Sequence, residues 1–394
     1  MNFFLNHLGL TCALGRGHAA VRAGLLAPQP SGVRPNEQVW PGRRLHVGAA
    51  MGPLPALDVL PLAHRSRNNA LLLDALDQIR PAVDAAVARY GPARVGIVLG
   101  TSTSGVAEAE AAWQIAHAQG ALPAHFHPGQ QEIGSPALML SQVLGLYGPC
   151  HVISTACSSS AKALASAARM LQSGRCDAVL CGGADSLCRF TIAGFEALES
   201  VAHGRCNPMS AARSGINIGE AAVLFLMTRE TGAVRLSGWG ETSDAHHISA
   251  PDPSGAGAVA AMQAALSRAR LAPGQIDYLN LHGTATPQND AMESRAVAHC
   301  FGLGTPCSST KPLTGHTLGA AGSLEAAILW LGLTDNPQGR LPPHWWDGQR
   351  DDALPALSLV EPGASLGRPM THALSNSFAF GGSNAALILS RHDH

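Results

Sequence analysis

The chain has 394 residues, of which 46% are hydrophobic and only 13% are charged, and its formal net charge is -1. Soluble domains usually carry about 25% charged residues, so a chain this poor in charge is expected to bury extra surface against a second subunit. A net charge near zero gives no general attraction to nucleic acid or to an anionic membrane, and neither partner is expected. The sequence contains no apolar run long enough to predict a membrane span.

The beginning of the chain and its cysteines indicate the compartment. Residues 1–10 are mildly apolar but have no basic flank, and they are predicted to form a first strand rather than a secretory signal. The nine cysteines are odd in number and include no C-x-x-C pair, so neither a disulfide framework nor a zinc site is predicted. A reducing, cytoplasmic location is expected.

Strand-like segments recur in the same order in the two halves of the chain. The first set comprises residues 94–99, 152–155 and 177–183, and the second comprises residues 276–282, 306–310 and 372–382. Helical patterns follow most of these segments, which is typical of α/β proteins. The chain is therefore predicted to contain two duplicated α/β half-domains, residues 1–232 and residues 233–394.

Cys157 follows one of these segments and directly precedes an alanine-rich helical pattern, among serine and threonine residues. A free cysteine is most often a small buried residue, and that interpretation applies to most of the other eight. At the start of a helix, however, free N–H groups and the helix dipole favour thiolate over thiol. Two interpretations therefore remain open for Cys157, a buried structural residue or an ionised nucleophile.

His282, Lys311 and His316 lie in turns of the second half that are rich in Gly, Thr and Ser. Loops that converge from two halves of a molecule commonly form a shared active site. Lys311 and Lys162 are the only lysines, since all other Lys/Arg positions are arginine, and this indicates a specific point charge at Lys311. Glu293, on the helix predicted after His282, is the expected ion-pair partner of Lys311.

Residues 376–384 read NSFAFGGSN. The pattern fits an ordinary strand and glycine turn, but the two glycines also allow a backbone N–H to point at a developing oxyanion. Neither G-x-x-x-x-G-K-[ST] nor G-x-G-x-x-G follows a strand in this chain, so a nucleotide cofactor is not expected.

Together these segments resemble the β-ketoacyl-acyl carrier protein synthases, the elongating condensing enzymes of fatty acid and polyketide synthesis. The similarity covers nearly the whole chain, and it is the joint order and spacing of the motifs that is specific. The matching segments are residues 155–158, 243–247, 282–287, 308–316 and 376–382. The serine-rich run after the cysteine is typical of polyketide-type synthases, and Ser383 stands where threonine is frequent in the family.

The resemblance implies an α/β, thiolase-like five-layered αβαβα fold made of two duplicated half-domains, and a dimer. It implies that Cys157 is the acylated nucleophile and that Lys311 with Glu293 organises the site. His282 and His316, as two neutral imidazoles, are expected to bind the malonyl thioester carbonyl. The other implied roles are oxyanion-hole N–H groups at Cys157 and Phe380, a gate at Phe380, and substrate contacts at Thr284, Thr286, Phe378 and Gly381.

The resemblance also implies the partners. Acyl carrier protein is expected to supply the phosphopantetheine arm in trans, so no cofactor of the chain itself is expected. The basic residues assigned to carrier-protein contact are Arg65, Arg67 and Arg205. A homodimer is expected, with a heterodimer with a second synthase-like subunit as the other form. No metal is expected beyond a structural monovalent cation, for which the corresponding residues are Asn280, Glu325 and Asn376.

The expected reaction is a decarboxylative Claisen condensation that extends an acyl group on Cys157 by two carbons, in fatty acid or polyketide/polyene biosynthesis. The alternative is a non-elongating partner subunit, like the chain-length factors. Such subunits typically lack the nucleophile, whereas Cys157 and both histidines are present here. A thiolase needs a second catalytic cysteine near its C-terminus, and acetyl-CoA-priming synthases use a Cys-His-Asn set that His316 contradicts.

Overall fold

The computed structural model of the chain describes residues 2–392. Its strands are β1 (Phe4–Cys12), β2 (Gly15–Arg16), β3 (Arg34–Asn36), β4 (Leu45–Val47), β5 (Val95–Gly100), β6 (Cys150–Ile153), β7 (Ala178–Asp185), β8 (Ala221–Thr228), β9 (Val234–Ser243), β10 (Tyr278–Asn280), β11 (Cys307–Ser308), β12 (His372–Ala379) and β13 (Ser383–Arg391). β1 confirms the first strand that the sequence predicts.

The helices alternate with the strands in both halves of the chain. They are α1 (Gly17–Leu25), α2 (Arg67–Tyr90), α3 (Val106–Gln119), α4 (Ser135–Leu144), α5 (Ser159–Gln172), α6 (Arg189–Ala197), α7 (Ala256–Ala269), α8 (Pro287–Phe301), α9 (Lys311–Thr314) and α10 (Ala321–Leu333). Among the residues described, none of these helices is both long enough and apolar enough to cross a membrane.

The strand order is the same in the two halves. The first half has the order β6-β5-β7-β8-β1, and the second half has the order β11-β10-β12-β13-β9. The two sheets meet at a single pair of residues, Phe4 of β1 and Arg235 of β9. This shared topology confirms the predicted duplication and the α/β class, while the division at residue 232 into separate half-domains stays a prediction.

Helices cover both sheets and fill the space between them, which gives five layers. α2 and α4 pack on the outer face of the first sheet, and α7 packs on the outer face of the second with α8 beside it. α5 and α10 lie between the sheets and pack against each other. The two central helices approach closely, because a Cβ added to Gly322 of α10 would lie 2.6 Å from Cβ of Ala161 on α5. Small residues at this crossing therefore set the spacing of the two halves.

The two ends of the strand path are covered differently. The β11 edge is occupied by a following segment, since Cys307 N–H donates to the Ser358 carbonyl (2.9 Å) and Val360 N–H donates to the Cys307 carbonyl (3.0 Å). The β6 edge pairs only with β5 within the described chain. β6 is also only partly buried, and His151 within it is exposed. An open strand edge of this kind is a template for pairing with another chain.

His344 is a buried link between the segment after α10 and the catalytic turns. Its Nδ1 accepts a hydrogen bond from Ser309 N–H (3.0 Å), and its Nε2–H donates to the Pro208 carbonyl (3.0 Å). The side chain is 2% exposed. Burial lowers the pKa of His344 to about 4, although the Pro208 contact raises it. The imidazole is therefore neutral in the folded protein.

A pH dependence of stability follows from His344. The unfolded residue titrates near pH 6.5 and the folded residue near pH 4, so acid protonates the unfolded chain first and stability falls as the pH drops below 6.5. Between pH 7 and pH 5 this one residue is expected to lower the free energy of unfolding by about 2 kcal/mol. Urea unfolding of His344→Gln should show that much less pH dependence than the parent protein. The exposed control His117→Gln should retain the full dependence, and equal slopes for all three proteins would contradict the assignment.

Candidate active site

A strained turn between β6 and α5 presents Cys157. Ala156 has φ = 49°, in the left-handed region that non-glycine residues rarely adopt. Two side chains stabilise the turn, because Ser158 Oγ donates to the Thr155 carbonyl (2.8 Å) and Ser159 Oγ donates to the Ala156 carbonyl (2.6 Å). The sulfur is thereby held at the N-terminal end of a central helix, between the two sheets, where the sequence predicts it.

The turn after β10 is stabilised by carboxylates of α8. Glu293 accepts the backbone N–H groups of His282 and Gly283, each at 2.7 Å, with its two oxygens. Asp290, one helical turn earlier, accepts Ala285 N–H at 3.2 Å. Burial raises the pKa of Glu293 to about 7, and these backbone N–H groups lower it. The task of Glu293 is therefore to hold the histidine turn.

The predicted pair of Lys311 with Glu293 is wrong. Lys311 Nζ contacts Glu325 Oε1 of α10 at 2.5 Å, donates to the His282 carbonyl, and lies 3.5 Å from His282 Nδ1. Both Glu293 oxygens are already used by backbone N–H groups, and α10 brings Glu325 to the lysine instead. Burial raises the pKa of Glu325 to about 7, and the Lys311 ammonium lowers it.

Cys157, His282 and His316 converge from the two halves. His316 Nε2 lies 3.0 Å from Cys157 Sγ. The Cys157 sulfur and one ring nitrogen of each histidine all lie within 4.8 Å of one another. The imidazole rings stand edge to face with centroids 5.3 Å apart. Burial, with Lys311 adding to it, lowers the pKa of both histidines well below 6.5. Both imidazoles are therefore neutral near pH 7.

Lys311 decides which nitrogen of His282 carries the hydrogen. An ammonium has only donors, so Nδ1 of His282 faces it with a lone pair. The ring hydrogen is then on Nε2, the nitrogen on the opposite side of the ring from Lys311. A second neutral histidine with a fixed N–H donor is the arrangement that stabilises an enolate or tetrahedral oxyanion.

The three side chains lie in a cavity of about 130 Å³ that opens to the surface. Phe378 stands edge-on to His282, with ring centroids 6.2 Å apart, and the Phe380 ring lies 5.4 Å from the ring of Phe195 on α6. The other lining residues are Leu198, Ser200, Ile216, Ser249, Pro251, Thr284, Thr286, Gln288, Asn289, Ala379 and Asn384. Aromatic rings and small polar groups on a narrow path to a buried sulfur suit a long, thin substrate.

Comparison with known proteins identifies the family. Sequence models of the N-terminal and the C-terminal domain of beta-ketoacyl synthase match residues 76–233 and 233–344. The 3-oxoacyl-[acyl-carrier-protein] synthase 2 of Staphylococcus aureus is 33% identical over 316 residues, which is 75% of this chain and 76% of the relative. The chain belongs to the β-ketoacyl synthase family. The members of this family are acyltransferases that act as condensing enzymes.

Solved β-ketoacyl synthase structures share the whole fold. One chain of a complex of a ketosynthase with its chain length factor, from Xenorhabdus doucetiae, matches with a TM-score of 0.93 and 44% identity over 99% of this chain and 98% of that chain. A beta-ketoacyl synthase from Burkholderia phymatum STM815 matches with a TM-score of 0.87 and 27% identity over the full length of both chains. The expected thiolase-like fold is confirmed.

The substrate contacts that the resemblance implies are partly brought together. Thr284, Thr286 and Phe378 line the cavity, and the two threonine hydroxyls lie 2.9 Å apart. Gly381 is exposed and is absent from the lining residues described above. Its φ of 78° requires a glycine, and its N–H donates to the Ile248 carbonyl (2.8 Å). Gly381 therefore shapes the turn beside the cavity.

The arginines assigned to the carrier protein are largely engaged within the chain. Arg67 forms a two-pronged ion pair with the fully buried Glu220, at 2.9 and 2.5 Å. Arg65 donates to the carbonyls of Leu60 and Asp58. Arg205 is exposed and makes one 3.3 Å contact with the Pro30 carbonyl. Arg67 thus has a structural task although its side chain is partly exposed, and Arg205 is the least engaged of the three within the described residues.

Each of the residues that correspond to the family's cation site has a buried oxygen without a hydrogen bond among the described residues. These oxygens are Asn280 Oδ1, Asn376 Oδ1 and Glu325 Oε2. Buried oxygens of this kind are rare unless water or an ion satisfies them. Amide and carboxylate oxygens are the ligand type that a hard cation takes, so these residues suit one chemically.

Sequence reasoning did not single out Asp185, which joins the two halves near the catalytic turns. Its fully buried carboxylate accepts hydrogen bonds from Thr101 Oγ1 (2.6 Å), Thr103 Oγ1 (2.7 Å) and Gly319 N–H (2.5 Å). Gly319 lies three residues after His316. The polar end of the otherwise apolar strand β7 was the one available signal.

The structure decides the charge state of Cys157, which the sequence leaves open. Burial raises the pKa of the Cys157 thiol to about 12, against the lowering effects of Lys311 and of the Phe380 N–H directed at the sulfur. Burial thus outweighs the helix start, and the resting sulfur keeps its proton. The neutral His316 Nε2 beside it is the acceptor for that proton.

Alkylation with iodoacetamide reports this charge state, because only the thiolate reacts. With a pKa above the range, the thiolate fraction rises about tenfold per pH unit, so the alkylation rate of Cys157 should climb from pH 6 to pH 9 without a plateau. Lys311→Met should slow alkylation at each pH, since it removes a charge that lowers this pKa. Peptide mass spectrometry separates Cys157 from the half-buried Cys300. A rate independent of pH below pH 7 would show an ionised resting sulfur instead.

Proposed function

We propose that the chain is a 3-oxoacyl-[acyl-carrier-protein] synthase that elongates a Cys157-bound acyl group with malonyl-acyl carrier protein, in fatty acid or polyketide/polyene biosynthesis. One observation carries the proposal. Cys157 Sγ lies 3.0 Å from a neutral imidazole and within 4.8 Å of a second, in a cavity open to the surface. A nucleophile with a base and a second donor is the set that thioester condensation needs.

The first step loads the acyl group. Cys157 attacks the acyl thioester carbon as His316 Nε2 takes the thiol proton, and the backbone N–H groups of Cys157 and Phe380 bind the oxyanion. Collapse of the tetrahedral intermediate expels the carrier-protein thiolate, which receives the proton from His316. Acyl-Cys157 and free carrier-protein thiol are the products, with no net proton change.

The second step makes the carbon nucleophile. Malonyl thioester binds with its carbonyl oxygen facing the Nε2 atoms of His282 and His316, and its carboxylate leaves as CO2 with the bonding electrons going to an enolate. After loading, the sulfur has no proton to give, so His316 must donate from Nε2; this takes a change of tautomer, in which one proton leaves Nδ1 to solvent and one from solvent binds Nε2, with no net change in protons. Two neutral donors stabilise the enolate without protonating it.

The third step joins the chains. The enolate carbon attacks the Cys157 thioester carbon, the oxyanion again faces the N–H groups of Cys157 and Phe380, and collapse expels the Cys157 thiolate. The product is a 3-oxoacyl thioester on the carrier protein, two carbons longer. One proton taken up from solvent, through His316, restores the thiol.

The two catalytic roles separate by mutation. His282→Ala keeps the Cys157–His316 pair, so it should still load acyl groups, but CO2 release from malonyl-acyl carrier protein should fall about 10²–10³-fold. Cys157→Ser should lose elongation strongly. Intact-mass spectrometry measures loading, and trapped CO2 measures decarboxylation. His299→Ala, exposed on α8, is the matched control for both. Normal CO2 release by His282→Ala, or undiminished elongation by Cys157→Ser, contradicts the mechanism.

The second candidate function is a non-elongating, chain-length-factor-like subunit. It is favoured by the match to one chain of a complex between a ketosynthase and its chain length factor. The complete set of Cys157, His282 and His316 in catalytic contact favours the elongating role for this chain. Within such a pair, the chain then takes the ketosynthase position.

We propose acyl carrier protein as the partner that delivers both substrates, in the cytoplasm. A surface depression that includes Val201, next to Ser200 on the cavity wall, is lined by Arg44 and by Glu199, and by Glu196, which is paired with Arg43. Arg205 follows in the same segment and is exposed. Arg44 and Arg205, in place of the engaged Arg65 and Arg67, suit the acidic surface of a carrier protein beside the entrance.

A dimer with a second synthase-type subunit is the proposed assembly, formed at the open β6 edge. Leu138 on α4 is 49% exposed and Tyr147, just before β6, is 81% exposed, so apolar groups flank the unpaired strand. A partner strand would satisfy the edge and cover these groups. The small fraction of charged residues in the chain also favours burial of surface against a second subunit.

The edge proposal gives a test of assembly. Leu138→Glu places a charge in the proposed interface and should weaken the pairing of this chain with a chain-length-factor-type subunit more than about tenfold. Leu303→Glu, at a similarly exposed leucine (52%) in the other half, should pair normally. Light scattering after size-exclusion chromatography gives the masses. Equal masses for the two variants would remove β6 from the interface.

A further inference from the structure

Lys162, the second of the two lysines, has no part in the proposed reaction. It lies on α5, one turn after the nucleophile, and its Nζ donates to Ser383 Oγ at 2.6 Å. The side chain is half-buried on a helix whose residues are otherwise almost all buried. Burial lowers the pKa of Lys162, and Glu241 raises it. Removing an ammonium from water to contact a single serine is costly, which calls for a reason.

Ser383 connects the lysine to the turn of Cys157. Its Oγ lies 2.9 Å from Ser158 Oγ, and Ser158 Oγ lies 2.8 Å from the Thr155 carbonyl. Because an ammonium can only donate, Ser383 accepts from Lys162 and turns its own hydrogen to Ser158. Ser158 then donates to Thr155. The lysine thus fixes the direction of the whole hydrogen-bond chain.

Ser158 bonds to Ser383 in place of the capping hydrogen bond that a serine at this position usually makes. It is the N-cap residue of α5, where a serine side chain normally accepts a backbone N–H of the first helical turn. The Ser158 side chain makes no such capping bond. Its hydroxyl is instead committed to the Lys162–Ser383 chain, at the residue next to Cys157.

The turn that starts at Phe380 needs such an anchor. Gly381 and Gly382 have φ of 78° and 73° and no side chains, so Ser383 is the first residue after Phe380 whose side chain can hold the turn. Main-chain bonds from Gly381 N–H to Ile248 and from Asp244 N–H to Gly382 hold the turn from one side only. Ser383 ties it to the opposite side, the nucleophile turn.

We infer that Lys162 is a positioning residue for the oxyanion hole, which through Ser383 and Ser158 sets the spacing between the backbone N–H groups of Cys157 and Phe380. The inference rests on the proposed function, since that function needs both N–H groups. The oxyanion hole serves acyl loading and condensation, whereas decarboxylation uses the two histidines. Loss of Lys162 therefore affects acyl loading and condensation, the first and third steps, and spares decarboxylation, the second step.

The test compares two rates in the full-length protein. In Lys162→Met, acyl transfer from acyl-acyl carrier protein to Cys157, followed by single-turnover intact mass, should slow about tenfold, less than the loss of a whole oxyanion-hole donor. CO2 release from malonyl-acyl carrier protein without an acyl donor should stay within about twofold. Lys162→Arg keeps a donor and should restore most of the loading rate. Ser383→Ala should match Lys162→Met, and the double variant should be no slower than either.

The controls separate the possible failures. Gln172→Ala alters the exposed last residue of α5, away from the Lys162–Ser383 contact, and should change neither rate. Equal losses of loading and CO2 release in Lys162→Met, or no loss of loading, overturn the positioning role while leaving the proposed function intact. A parent protein that neither loads acyl groups nor releases CO2 overturns both.

Discussion

The contact between Cys157 Sγ and His316 Nε2, 3.0 Å long, joins the two halves of the molecule at the point of chemistry. Neither half holds a competent nucleophile alone, because the sulfur comes from the turn before α5 and the base from the turn before α10. The spacing of these helices is set where Gly322 meets Ala161, and Asp185 ties the segment after His316 to the first half. The duplication thus gives two similar halves, and the active site lies where they contact each other.

Burial decides the electrostatics of the site. It raises the pKa of the Cys157 thiol and lowers the pKa of His282 and His316, so the nucleophile and both imidazoles are neutral at rest. The buried Lys311–Glu325 pair is the charged element beside them. Such a pair contributes little to stability; its value here is that a donor-only ammonium fixes the hydrogen of His282. A neutral site also admits an acyl chain more readily than a charged one.

The sequence predicted what depends on residue order and local pattern. The repeated segments gave the two sheets, and Cys157 and His282 do lie in turns after β6 and β10, whereas Lys311 begins the short helix α9 and His316 follows it. Resemblance to a family supplied the roles. Lys311 was given the wrong partner, because Glu293 and Glu325 lie on different helices and only packing shows which one reaches the lysine. The charge state of Cys157 stayed open in the sequence, because a helix start can be read from sequence, whereas the depth of burial cannot.

The same distinction explains the arginines. Arg67 looks like a free surface charge in the sequence, yet the buried Glu220, 153 residues away, holds it in a two-pronged pair. Long-range pairing of this kind leaves no local pattern. Lys162 is the opposite case, since its rarity was visible in the sequence but its target, Ser383, was not.

The partly exposed side of α5 lies between the proposed subunit interface at β6 and the nucleophile turn. Lys162, Ser166 and Arg169 follow one another at helical spacing on a helix that is otherwise buried up to its last turn. Ser166 Oγ lies 3.4 Å from His151 Nε2 on β6, the open strand. A subunit that pairs along β6 therefore lies next to this row of side chains. Its first member, Lys162, is hydrogen-bonded to Ser383 beside the nucleophile turn. The surface that a partner would cover and the hydrogen bonds that hold the oxyanion hole therefore both involve side chains of α5.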